Sequence, residues 1–220
     1  MKKNFFKFVV LASLVTSTAI SLQGCLFPVV AGGMVGGAMV YVDRRPVAVV
    51  AIDRGLQLEI ESFILQKYGS RVHVNVNVYN QKVLLTGETR TEDDKSQIEA
   101  AVKERRNIKN FVNEIQVGPL SSVTARVSDN SLYALIKGKF VATTDIPSNS
   151  MKIVVEAGKV YLLGLATELE AKAAAVVASQ VSSNVKEVVK LFDIISDEER
   201  DRLDKERMGE SQSGGPRKAQ

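Results

Sequence analysis

Lys82-Val83-Leu84-Leu85-Thr86-Gly87 returns 77 positions later as Lys159-Val160-Tyr161-Leu162-Leu163-Gly164, and this repetition decides the fold. The match runs in register on both sides. Val74, Val76 and Val78 correspond to Met151, Ile153 and Val155, and Ile108 and Val112 to Val185 and Val189. Upstream, Asp53, Leu56 and Ile60 correspond to Asp129, Leu132 and Ile136 at an offset of 76, so the second copy holds one more residue in between. Units of about 65 to 75 residues can form small domains that are marginal alone.

Within each unit the period of apolar residues changes in a fixed order. Asp53 reads as a helix N-cap, followed by Leu56, Ile60, Phe63 and Ile64 on one face. Arg71 to Tyr79 then alternates, with Val72, Val74, Val76 and Val78 to one side and Arg71, His73, Asn75, Asn77 and Tyr79 to the other, as in a half-buried strand. Asn80-Gln81, like Ala157-Gly158 in the second copy, turns the chain into the next strand, Lys82 to Thr86. Thr91 opens a second helix whose first turn carries Glu92, Asp93 and Asp94, where acids favour the positive end of the backbone dipole. Ile108 to Val117 reads as the last strand.

The second copy predicts a helix over Asp129 to Val141, strands over Lys152 to Glu156 and Lys159 to Leu163, a helix over Glu168 to Val181 and a strand over Val185 to Ile195. The expected class is α+β: αββαβ twice, over 46–118 and 122–195, each a three-stranded mixed sheet covered on one face by two helices. Beyond it, residues 196–220 are expected to be a charged tail, with Asp197 to Met208 a solvated helix that packs on nothing and Gly209 to Gln220 disordered.

The start of the chain has a different character. Lys2, Lys3 and Lys7 lead into an uncharged apolar run, Phe8 to Ile20, and then into Leu22-Gln23-Gly24-Cys25. That is the pattern of a secretory signal, residues 1–24, and its ending resembles a lipobox, in which Cys25 is acylated and becomes the new N-terminus. Several acyl chains make a stable anchor where one does not. Cys25 is the only cysteine, so no disulfide forms within one chain. Residues 25–45 then read as the lipidated cysteine and a glycine-rich membrane-proximal tether. Gly32, Gly33, Gly36 and Gly37 also give G-x-x-x-G spacings, so a spanning or inserted helix stands as the alternative. Leu26 after the cysteine points, by resemblance, to the outer membrane.

The net charge of +4 belongs mostly to the signal: losing Lys2, Lys3 and Lys7 takes 29 basic residues to 26, against 25 acidic. A nearly neutral chain without tryptophan lacks the footprint of a general nucleic-acid binder. His73, the sole histidine, is expected to face solvent, and no metal-ligand set, phosphate loop, nucleophile elbow or cofactor motif is read, so an enzyme is not expected.

The element order, the V-x-L-x-G turns at Val83 to Gly87 and Val160 to Gly164, and the segments Gly164-Leu165-Ala166-Thr167-Glu168 and Glu170-Ala171-Lys172-Ala173-Ala174-Ala175 resemble the BON domain. Two BON domains behind a lipobox are similar to a family of outer-membrane lipoproteins of Gram-negative bacteria. The resemblance implies a periplasm-facing protein that binds anionic phospholipid of the phosphatidylglycerol type, supports the permeability barrier and gathers at division sites. It also implies a lipid surface on the first helix of the second BON domain, with Tyr133, Lys137, Lys139 and Phe140 as contacts and Ser131 where the family carries a tryptophan. At about 100° per residue, Tyr133, Lys137 and Phe140 share one flank within roughly 60°. Two further readings stay open: that these residues are core and solvated edge, and that the BON domains bind envelope-assembly proteins with lipidation only locating them.

Overall fold

The computed structural model describes residues 43–213, and side chains as far as residue 208. The signal, Cys25 and the glycine-rich tether as far as residue 42 lie outside the described residues, as does 214–220. Each repeat holds a long helix, a hairpin, a second helix and a final strand in two pieces. In the first these are α1 (Val47–Tyr68), β1 (His73–Tyr79), β2 (Lys82–Thr89), α2 (Glu92–Lys103), β3 (Asn110–Asn113) and β4 (Gln116–Val117). In the second they are α3 (Val123–Ala142), β5 (Met151–Glu156), β6 (Lys159–Ala166), α4 (Glu168–Gln180), β7 (Glu187–Lys190) and β8 (Asp193–Ile194), followed by α5 (Asp197–Ser213).

The αββαβ order and the mixed sheets are those expected. β2 is central, antiparallel to β1 and parallel to β3 and β4, and β6 repeats this with β5, β7 and β8. The last strand breaks because Ile115 drops into the core at 0 % exposure while the Asn113 side chain accepts its amide at 3.1 Å.

Both long helices begin six residues before the predicted start, and neither aspartate is a cap. Ser122 caps α3 instead, and Pro46 precedes α1. Asp53 and Asp129 sit inside their helices and reach across to the hairpin turns. Asp53 accepts the amides of Asn80 and Gln81 at 2.7 and 2.8 Å, and Asp129 those of Ala157 and Gly158 at 2.8 and 3.0 Å. Asn80, Gln81 and Ala157 hold positive φ, which side chains with a Cβ rarely adopt. Charge-assisted bonds from a rigid helix offset that strain. A conserved register in the repeat thus marks a clamp between helix and turn.

Gly87 and Gly164 close the V-x-L-x-G turns for a related reason. A Cβ on Gly87, at φ +104, would lie 2.0 Å from the His73 carbonyl oxygen, and one on Gly164 would lie 2.7 Å from that of Ser150. The central strand approaches its neighbour too closely for any side chain.

Helices cover one face of each sheet. In the first repeat Ile60, Ile64, Ile98 and Val102 pack on Val76, Val83 and Leu85; in the second Ile136, Phe140, Ala174 and Ala178 pack on Ile153, Val160 and Leu162. The faces turned away from the helices are buried too. Tyr79 and Leu84 of the first repeat join Val154, Tyr161, Leu163 and Leu165 of the second in a third cluster, so the sheets stack between outer layers of helix. Tyr79, placed by alternation on the polar side of its strand, is therefore buried, and donates to the Ser150 carbonyl at 2.8 Å.

The C-terminal helix packs as well, contrary to the expectation of a free tail. Leu203 completes the third cluster at 9 % exposure, and Asp204 accepts from Arg44 Nε at 2.8 Å. Residues 209–213 continue α5 rather than losing structure.

Candidate functional site

The acid-poor helix α3 has two apolar faces. Leu132, Ile136 and Phe140 point into the core, while Val127, Leu135 and Val141 are exposed. At about 100° per residue, Val127, Ser131, Ala134, Leu135, Gly138 and Val141 fall within an arc of roughly 120° that faces solvent. No aspartate or glutamate occurs from Asn130 to Ala142. Exposed Lys139 borders this arc on one side and half-buried Lys137 on the other.

The residues proposed for lipid contact separate. Phe140 is 0 % exposed and belongs to the core, so it cannot meet a bilayer; helical spacing placed it beside Tyr133 correctly but could not say which arc the sheet covers. Tyr133, 43 % exposed, lines a cleft of ≈ 530 Å³ with Asp129, Asn130, Asn75 and Asn77. Lys137 turns its ammonium to the Ser148 carbonyl at 2.7 Å, and burial lowers its pKa. Lys139 and Ser131 are exposed, with the Ser131 hydroxyl donating to the Val127 carbonyl at 2.9 Å. The outward arc is thus centred near Ser131 rather than Tyr133. Among the described residues no helix is long and apolar enough to cross a membrane.

Where tether and domains meet, two arginines do more than mark a change of composition. Arg44 is wholly buried and forms paired bonds to Glu170 at 2.7 and 2.8 Å, further bonds to Asp204 and one to the Leu165 carbonyl. Burial works against its charge, but Glu170 and Asp204 outweigh that and raise its pKa. Arg45 binds Asp43 and Asp53 and lies 3.9 Å over the Tyr79 ring. Nothing in Asp43-Arg44-Arg45-Pro46 announces this, because the partners lie up to 160 residues away.

His73 does not face bulk solvent. Its side chain is 16 % exposed, with Nδ1 3.1 Å from Glu88 Oε2, and Glu156 of the second repeat closes the group. The Ser121 amide, from the linker between repeats, donates to Glu88 at 3.1 Å. Asn75 donates to Glu156 at 2.7 Å, and Thr86 lies within hydrogen-bonding distance of it. Burial raises the Glu156 pKa, opposed by the Asn75 bond and reinforced by Glu88 and Asp129.

Residues 53–119 and 128–196 each match the BON domain. The chain is 33 % identical to the outer membrane lipoprotein DolP of Haemophilus influenzae over 82 % of its own length and 93 % of that protein's. It is 30 % identical to a 21 kDa hemolysin of Actinobacillus pleuropneumoniae, over 56 % of this chain and 61 % of that one. The solved structure of CdsD, a structural protein of the type III secretion system of Chlamydia trachomatis, overlaps 69 % of the chain at 11 % identity and a TM-score of 0.27, too loose for a functional reading.

Proposed function

The chain belongs to the BON-domain family, and from that premise we propose a non-catalytic envelope lipoprotein, anchored to the outer membrane through acylated Cys25 and facing the periplasm. There it rests the outward arc of α3 on anionic phospholipid and supports the permeability barrier, gathering at division sites. One observation carries the lipid reading: α3 exposes Val127, Leu135 and Val141 beside Lys139 with no acid from Asn130 onward. An aliphatic stripe bordered by lysine suits the headgroup level, where apolar tips enter and the ammonium stays with phosphate.

The magnitudes fit a tethered contact. Each lysine near an anionic surface contributes about 1 kcal/mol, and each partly inserted Val or Leu about 1 kcal/mol more. That sum is weak alone, and the acyl anchor makes it sufficient by raising local concentration. With Ser131 where the family carries tryptophan, the weight moves to Leu135, Val141 and Lys139.

Vesicle sedimentation tests this. A chain starting at Asp43 is expected to bind phosphatidylglycerol vesicles over phosphatidylcholine, less so as salt rises, and to lose binding on Leu135→Glu with Lys139→Glu. Equal binding by that double variant would remove the proposed surface. No vesicle binding by the parent chain would favour the protein adaptor.

A further inference from the structure

We propose that His73, Glu88 and Glu156 form a site for a divalent first-row transition cation of the zinc type, fastening the two BON repeats at their joint. The three side chains come from β1, β2 and β5, so both repeats contribute. One ligand atom from each lies within 4.8 Å of the others. His73 Nδ1 and Glu88 Oε2, 3.1 Å apart, already have nearly the separation of two ligands on one tetrahedral zinc, whose bonds of about 2.0–2.2 Å place ligands roughly 3.3 Å apart. Bringing Glu156 from within 4.8 Å to that spacing requires a side-chain shift of at most roughly 1.5 Å, small for a glutamate.

The charge pattern asks for a cation. The carboxylates are mostly buried, neither has a lysine or arginine partner among the described contacts, and two further acids, Glu88 and Asp129, act on Glu156. Two neighbouring acids out of water need a proton or a metal between them. Imidazole with two carboxylates suits zinc and its neighbours rather than calcium or magnesium, which prefer oxygen alone.

Supporting contacts orient the ligands. Asn75 holds Glu156, the Ser121 amide holds Glu88, and the missing Cβ of Gly87 leaves room for the His73 ring, whose Nδ1 would otherwise be 3.3 Å from it. Asn75 also lines the ≈ 530 Å³ cleft, which gives an ion a path to the joint.

The full chain in detergent, stripped by chelator, is titrated with zinc chloride by calorimetry and with cobalt(II) by visible absorption. One ion per chain is expected, with cobalt bands of a low-coordinate site. Glu156→Gln, which keeps an acceptor for Asn75, and His73→Ala are each expected to weaken binding by at least about 10-fold, whereas Asp94→Asn in the first turn of α2 leaves it unchanged. If His73→Ala does not fold, Glu156→Gln decides alone. No saturable binding by the parent chain, or unchanged affinity in Glu156→Gln, overturns the site.

Discussion

The first and second repeats share a core and a clamp but not a surface. Asp53 and Asp129 hold their hairpins alike, and Gly87 and Gly164 admit the same close strand approach. On the outward arcs of the long helices the residues diverge. At the offset of 76, Leu135 of α3 stands where α1 has Glu59, and Lys137 where α1 has Glu61. Glu59 pairs with Arg105, so the first repeat sets an ion pair between exposed Leu58 and Leu65 on that arc, while the second puts Leu135 there and keeps the arc free of acids. Duplication kept what the backbone requires and freed the solvent face to specialise. One repeat therefore serves as an internal control for the other.

The glycines separate the repeats most strongly. Gly87→Ala, with positive φ and the closer backbone approach, is expected to destabilise by about 4 kcal/mol, and Gly164→Ala by about 2 kcal/mol. Urea unfolding measures both, and equal losses would break the ordering. Next comes the clamp. Asp53→Asn and Asp129→Asn each weaken two charge-assisted bonds, and about 1.5–3 kcal/mol is expected for each. Asp53 should cost more because Arg45 also loses a partner.

On the surface, Leu135→Glu grafts the residue of the first repeat onto the second. It should lower affinity for phosphatidylglycerol vesicles about 10-fold while thermal stability stays within about 0.5 kcal/mol, since Leu135 is exposed. The smallest effect concerns pH. Lys152, at the joint between repeats, has its pKa lowered by burial to about 8. The unfolded chain then binds that proton more tightly than the folded one, so stability should rise from about pH 8 to about pH 10.5 and be flat in this respect below. Lys152→Met should flatten that rise and add roughly 1 kcal/mol at pH 7. A melting temperature that falls across the window in the parent but not the variant would reverse the sign.

Much of this was legible in the sequence because local periodicity and internal repetition report local structure. Strand alternation gave β1 and the repeat gave its counterpart β5, and Thr91 caps α2 as its spacing predicts. What escaped was long-range. Asp53 looks like a cap because polar residues ahead of an apolar run usually are, yet its partners lie 27 and 28 residues on. Tyr79 and Phe140 were misplaced because alternation and helical spacing say which residues share a face, not what covers it. Leu203, an isolated leucine in a charged run, gave no periodic signal for a docked helix. His73 had no metal partners within reach of motif reading, since Glu88 and Glu156 are 15 and 83 positions away.

The internal control makes the lipid surface directly measurable. A chain starting at Asp43 contains no cysteine, so a single environment-sensitive fluorophore can be placed through Ser131→Cys on α3 or, at the matching position, Gly55→Cys on α1. With phosphatidylglycerol vesicles the label at 131 is expected to shift to the blue and be quenched by bromolipid, while the label at 55 reads as in water. Matching responses at both positions, or none at 131, would contradict the assignment of the membrane face to the second repeat.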